Sequence, residues 1–165
     1  MRHILAAGVF ALAVGFGSPA FAVEETADQK FAADAAKDSM AEIELGKLAL
    51  DKSKDARVRE FAERMIQDHS KANRQLESIA GSWGIFLPSE AGETLQEPMK
   101  KLSGLSGKNF DRAYAQAMVK DHEKAVKLFE QCERQCANQE VREFAKQTLP
   151  VLREHLTMAR QMVET

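Results

Sequence analysis

The sequence predicts an all-α protein, a bundle of four long helices with one long crossover between the second and the third. Three observations predict it. Ala, Leu, Lys, Glu, Gln, Met and Arg dominate the chain beyond residue 22, and these are the strong helix formers. Apolar residues recur at steps of three and four in four long stretches, the period of a helix with one buried face. A segment of different character, residues 81–108, separates the second stretch from the third.

Residues 1–22 are expected to stand outside this fold. Arg2 and His3 give a short positive start, Ile4 to Gly17 is an apolar run, and Ala20-Phe21-Ala22 reads as a small-residue cleavage site. That is the pattern of a secretory signal peptide cleaved after Ala22. The run is short for a membrane span, although an uncleaved anchor is the alternative. No cysteine follows the cleavage site to carry a lipid. The mature chain, residues 23–165, is therefore expected in a bacterial periplasm, without a transmembrane span. At 165 residues the chain is long enough for one core and too short for two ordinary domains. A formal net charge of −2 and the lack of a Lys/Arg cluster exclude nucleic acid as the expected partner.

Helix one is expected over about residues 29–53. Phe31, Ala35, Leu45 and Ala49 share a face, while Met40, Ile43, Leu48 and Leu50 lie on others. Apolar residues that wrap so widely predict burial on more than one side. The crossover segment or a second subunit would supply the extra cover, so a homo-oligomer or an envelope protein partner fits this face. Asp55 is a candidate N-cap for helix two, about residues 56–80, with the stripe Val58, Phe61, Ala62, Met65, His69, Ala72, Leu76, Ile79. In residues 81–108, the apolar cluster Trp83, Ile85, Phe86, Leu87, Pro88 is expected to plug one end of the bundle. Residues 92–103 can form a short helix, and Gly104 to Gly107 marks a turn. The segment is long enough to travel the length of a bundle, as in ferritin-like folds. Helix three, about residues 109–134, carries Phe110, Tyr114, Met118, His122, Ala125 and Phe129. Helix four, about residues 138–162, carries Val141, Phe144, Leu152, His155, Ala159 and Met162. Pro150 is expected to kink helix four one turn before His155.

Two internal echoes point to a duplicated helix hairpin. Val58-Arg59-Glu60-Phe61-Ala62 opens helix two and Val141-Arg142-Glu143-Phe144-Ala145 opens helix four. Met65-Ile66-Gln67-Asp68-His69-Ser70-Lys71-Ala72 recurs in helix three as Met118-Val119-Lys120-Asp121-His122-Glu123-Lys124-Ala125.

The chain beyond residue 22 has three histidines, His69, His122 and His155, each on the apolar stripe of a different helix. Helix one would bring Glu42 or Glu44 to the same height, and the sequence does not choose between them. Imidazole plus carboxylate is a ligand set for Fe, Zn, Mn or Cu. Asp68 and Asp121 precede their histidines by one residue, about 100° round the helix. They, with Glu154 beside His155, are better placed to hold the imidazoles, or, for the two aspartates, to form ion pairs between helices, than to bind metal themselves. The alternative is that each histidine is a core residue paired with an acid to specify register. Cys132 and Cys136 have i,i+4 spacing. In an oxidising compartment a disulfide is one outcome; free thiols or a soft-metal site are the others.

Several motifs in order resemble one known family. They are the signal peptide, Met40-Ala41-Glu42-Ile43-Glu44-Leu45-Gly46-Lys47-Leu48-Ala49, Asp68-His69-x-Lys71-Ala72, Leu105-Ser106-Gly107-x-x-Phe110-Asp111-Arg112-x-Tyr114, Asp121-His122-x-Lys124-Ala125, and Thr148-Leu149-Pro150 followed by Glu154-His155. The set, over about residues 29–163, resembles the exported ferritin-like family catalogued as domain of unknown function 4142. The resemblance implies a ferritin-like bundle in the periplasm or envelope and supplies no activity. Ferritin-like di-iron proteins use Glu-x-x-His on two helices. Here Ile66 and Leu152 stand three residues before His69 and His155, so a mononuclear His-rich site fits better than a carboxylate-bridged pair. No nucleophile beside a base, phosphate loop or nucleotide fingerprint is present, which leaves metal-dependent redox chemistry as the one enzymatic class open. Two readings follow: a metal-binding protein for storage, buffering or stress protection, and a non-catalytic envelope module whose His/Asp layer specifies the bundle.

Overall fold

A computed structural model describes residues 25–164, so the expected signal peptide lies outside the described residues. Among these there are five α-helices and no strand: α1 (Ala27–Lys52), α2 (Ala56–Ser82), α3 (Glu93–Ser103), α4 (Gly107–Gln135) and α5 (Gln139–Val163). The helices begin where side chains can satisfy their orphan amides. Thr26 forms a capping box with Gln29, which starts α1 at Ala27, two residues before the expected start. Asp55 caps α2 through the amides of Arg57 and Val58, and Asn138 caps α5 through Glu140 and Val141. Gly107, expected in the turn, opens α4 with φ 53°, a backbone conformation that glycine adopts without strain. α5 continues as a helix through Pro150.

The helices assemble into a bundle. α1 packs along α2 and α4 along α5; α2 also meets α5, α1 meets α4, and α3 lies against α1 and α4. The wide apolar surface of α1 thus finds cover on more than one side within the chain. Gly46 allows α1 and α2 to approach closely, since a Cβ there would come 2.9 Å from Ile66 Cγ1 and 3.2 Å from the Ala62 carbonyl oxygen. Both ends of α1 are tied. The Asp28 carboxylate accepts from the amides of Ala137 (2.9 Å) and Asn138 (2.7 Å). Lys52 Nζ donates to the carbonyls of Ser103 (2.6 Å) and Leu105 (3.1 Å). α4 therefore starts beside the end of α1 and finishes beside its start.

The core has two apolar clusters. One holds Phe31, Leu76, Phe129, Phe144 and Leu152, with Phe31 edge-on to Phe129 at 5.0 Å. The other holds Leu45, Phe61, Met65, Phe110, Tyr114, Met118 and Ala159. Fully burying one such side chain contributes about 1.5–3 kcal/mol. Trp83 and Leu87 pack on the first cluster, and Trp83 Nε1 donates to Glu140 (3.1 Å). Phe86, expected in the same plug, is instead 96% exposed. Leu87 turns inward onto the first cluster while its neighbour Phe86 points out. No helix among the described residues is long and apolar enough to cross a membrane.

Candidate metal centre

On each of three helices a histidine falls between the two apolar clusters. Met65 and Leu76 flank His69, Met118 and Phe129 flank His122, and Leu152 and Ala159 flank His155. The helical period that buries these neighbours buries the imidazoles too, to 7%, 1% and 0% exposure respectively. The rings meet. Their centroids are 5.8 Å apart for His69 and His122, 5.5 Å for His69 and His155, and 5.4 Å for His122 and His155. One ligand nitrogen from each can be chosen so that all three lie within 4.8 Å of one another.

Each ring is tethered by one nitrogen. His122 Nδ1 donates to the Met118 carbonyl at 2.9 Å. His155 Nε2 donates to Asp68 Oδ2 at 2.9 Å. His69 Nδ1 lies 3.2 Å from Ser39 Oγ. A carbonyl or carboxylate oxygen can only accept, so the first two contacts leave lone pairs on His122 Nε2 and His155 Nδ1. These two nitrogens and His69 Nε2 are buried and have no hydrogen-bond partner. A buried polar atom without a partner costs about 1–3 kcal/mol, so three on rings that meet call for a ligand that satisfies them. One nitrogen fixed by an outer partner and the other free is how metal-binding histidines are held.

The electrostatics keep the imidazoles neutral, the form that binds metal. Burial pushes the His69 pKa well below the ordinary imidazole range, and the neighbouring His122 and His155 lower it further. Burial, and then His155, lowers His122 to about 4. Burial also lowers His155, against the opposing pull of the Asp68 carboxylate.

The carboxylates divide. Glu42 is buried, with Oε1 3.9 Å from the tethered nitrogen of His122 and Oε2 unpartnered. Burial raises its pKa well above the carboxylate range, as do Asp121 and Asp38 nearby. Glu44 lies outside the cluster: it is half-exposed and pairs with Lys47 at 2.7 Å. Two residues are about 200° of helix, so when Glu42 faces in, Glu44 faces out. Glu154 also stands outside. It is half-exposed and engages Arg64 through two 2.7 Å hydrogen bonds; Arg64 Nε reaches Asp68 at 3.3 Å. By side-chain hydrogen bonds Glu154 therefore reaches the cluster through Arg64, Asp68 and His155 in turn. Asp121 makes no hydrogen bond to a histidine and lies 3.7 Å from Lys124. Cys132 and Cys136 are bonded to each other, with Cα atoms 4.7 Å apart, so neither is available as a thiolate ligand.

Four residues join the site that the sequence did not single out. Ser39 tethers His69, and Arg64 braces Asp68. Tyr114 is fully buried with an unpartnered hydroxyl, and Glu42 adds to burial in raising its pKa. Asp38 stands one turn before Glu42, and that i,i+4 pair of acids was the available signal. A cavity of about 750 Å³ runs from the histidines past Glu42 and Asp38 to Glu93 and Glu97 of α3.

Solved structures share this fold. A DUF305 protein from Streptomyces coelicolor is 20% identical, with 84% of this chain and 91% of that one covered and a TM-score of 0.73. CopM in its Cu(II)-bound form is 15% identical, with 83% and 95% covered and a TM-score of 0.70. A DUF305 fragment from Deinococcus radiodurans is 18% identical, with 84% and 95% covered and a TM-score of 0.65. No curated protein matches the sequence. A family model described as domain of unknown function (DUF4142) matches residues 17–162, nearly the whole chain, and the protein belongs to that family.

Proposed function

We propose that this protein is an exported metal-binding protein that holds one transition-metal ion between His69, His122 and His155, for buffering or storage. One observation carries the reading: three buried imidazoles, each tethered at one nitrogen and unpartnered at the other, bring one ring nitrogen apiece within 4.8 Å of one another. Such a site fits one ion held by three nitrogens with a position left open. Among Fe, Zn, Mn and Cu, neutral imidazoles without thiolate favour copper, zinc or iron over manganese, which prefers carboxylate. That CopM, of like fold, is known in Cu(II)- and Cu(I)-bound forms supports copper as the first ion to test. Glu42 abuts the tethered side of His122 and is not assigned as a ligand of this ion.

The same proposal places the mature chain, residues 23–165, in the periplasm as one domain with ferritin-like topology. The path from α2 to an α4 that begins beside the end of α1, with α3 against α1 and α4, supports a long crossover. Elemental analysis of protein purified from the periplasm tests the function. One equivalent of copper or zinc per chain is expected, lost in His69→Ala, His122→Ala and His155→Ala. Negligible metal in the wild type, or metal indifferent to all three substitutions, would sink it.

The second reading, a polar layer that only specifies the bundle, draws on the Asp68–His155 and Ser39–His69 contacts. It expects the same three substitutions to alter stability or oligomeric state in a protein that never takes up metal.

A further inference from the structure

We infer that the cavity beside the histidines is a binding site for a small, neutral ring compound with one hydrogen-bond donor, a phenol in the simplest case. The ligand needs no metal ion, so the site stands whether or not the histidines hold one. At about 750 Å³ the space falls within the range of small-molecule sites, roughly 300–1,000 Å³. Small side chains leave the room. Ala35 and Ala41 of α1, Ala72 of α2, and Ala113 and Ala117 of α4 line it, whereas protein interiors are otherwise filled to close packing. Leu45, Leu102, Phe129 and Leu152, each buried, supply further apolar wall.

Glu42 is the buried acid of this lining, 6% exposed. Its Oε2 is buried and has no hydrogen-bond partner. Oε1 lies 3.9 Å from His122 Nδ1, but that N–H is held by the Met118 carbonyl at 2.9 Å. A carboxyl group accepts in either protonation state, and a buried acceptor left without a donor is costly. The O–H of a ligand supplies the missing donor. The other charged groups of the lining are less buried and of both signs. Asp38 and Asp121 are half-buried, while Glu97, Lys101, Lys120 and Lys124 are exposed. Such a mixed rim draws in neither cations nor anions, and the apolar walls behind it penalise a charge of either sign. A neutral ligand fits both. A ring fits the walls, because Phe129 and the three imidazoles line the same space, and aromatic rings pack against one another edge-on or offset.

Titration of the purified protein with para-cresol, followed by ligand-observed NMR, tests the site, with toluene, benzoate and benzylammonium as comparison ligands. Para-cresol is expected to bind on the order of tenfold tighter than toluene, the effect of one hydrogen bond to a buried acceptor, and tighter than either ion. Protein stripped of metal by a chelator is expected to bind it equally well. Glu42→Leu puts an apolar side chain in place of a buried, unpartnered acid, so the variant is expected to fold. It should lower para-cresol to the affinity of toluene and leave toluene unchanged. Ala117→Leu fills the space and should weaken both ligands; Ala113→Leu repeats this at a second wall position if Ala117→Leu melts well below wild type. No para-cresol binding by folded wild type, tighter binding of either ion, or a preference for para-cresol that survives Glu42→Leu overturns the proposal. Binding that vanishes with the metal, or that the folded filling variants leave unchanged, overturns it too.

Discussion

Asp68 is the residue through which the His155 tether can be tested apart from the ligands themselves. Its Oδ2 accepts from His155 Nε2 at 2.9 Å, which keeps the proton on Nε2 and the lone pair on the buried, unpartnered Nδ1. Asp68→Ala removes the acceptor and leaves a fully buried N–H without a partner. In the metal-free protein this costs about 1–3 kcal/mol. The half-exposed Arg64 retains its paired bonds to Glu154, so its loss adds little. With metal, removal of an outer partner of a ligating histidine weakens affinity by about 10–100-fold, or about 1.4–2.8 kcal/mol. Asp68→Asn keeps an oxygen acceptor but loses the charge, so it should fall between. The assay is competition for Cu²⁺ against a chromophoric chelator at pH 7.5, alongside chemical denaturation of the metal-free proteins. If Asp68→Ala is folded, yet holds the ion within about twofold of wild type (well under 1 kcal/mol), the tethering argument is wrong.

Acid should destabilise the metal-free protein. His122 titrates near 4 when folded and near 6.5 when unfolded, so between these values the unfolded chain binds a proton the folded one does not. Its stabilising contribution is full above pH 6.5 and is lost toward pH 4 at up to about 1.4 kcal/mol per pH unit; denaturation at pH 7, 5.5 and 4.5 reads the slope. Asp38 has the opposite sign, its folded pKa being raised to about 6, so its contribution weakens as pH rises from about 4 to 6. Asp38→Asn should therefore stabilise the metal-free protein at pH 7.5, by about 1–2 kcal/mol after allowing for solvent screening; a lower melting temperature than wild type would contradict this. Gly46→Ala should destabilise by about 1–3 kcal/mol, because the new Cβ meets Ile66 Cγ1 and the Ala62 carbonyl. Combining it with Ile66→Ala should recover part of that loss in the same melt.

The all-helical bundle, the places of its long helices and the inward turn of three histidines were legible in the sequence. Each follows from a 3.6-residue period carried by many residues at once, so single exceptions do not blur it. What a period cannot supply is the fit between helices. Helix one spreads apolar residues over several faces, so periodicity left Glu42 and Glu44 equal. Only the packing of α1 against α2, α3 and α4 turns Glu42 inward. The Asp68–His155 contact joins positions 87 apart in sequence, and depends on the height at which α2 meets α5. Phe86 looked like core by composition, and in a stretch with no regular repeat the sequence has no period to say which side it faces. The cavity that Asp38, Glu42 and Asp121 help to line exists only where helices face each other. On α1 alone it reads as two acids one turn apart.

X-ray absorption on the copper- or zinc-loaded protein tests the central claim most directly. Three imidazole nitrogens at about 2.0 Å from the ion are expected, with at least one lost in each of His69→Ala, His122→Ala and His155→Ala. A shell of oxygens without imidazole, a sulfur ligand, or a spectrum unchanged by all three substitutions would contradict the account.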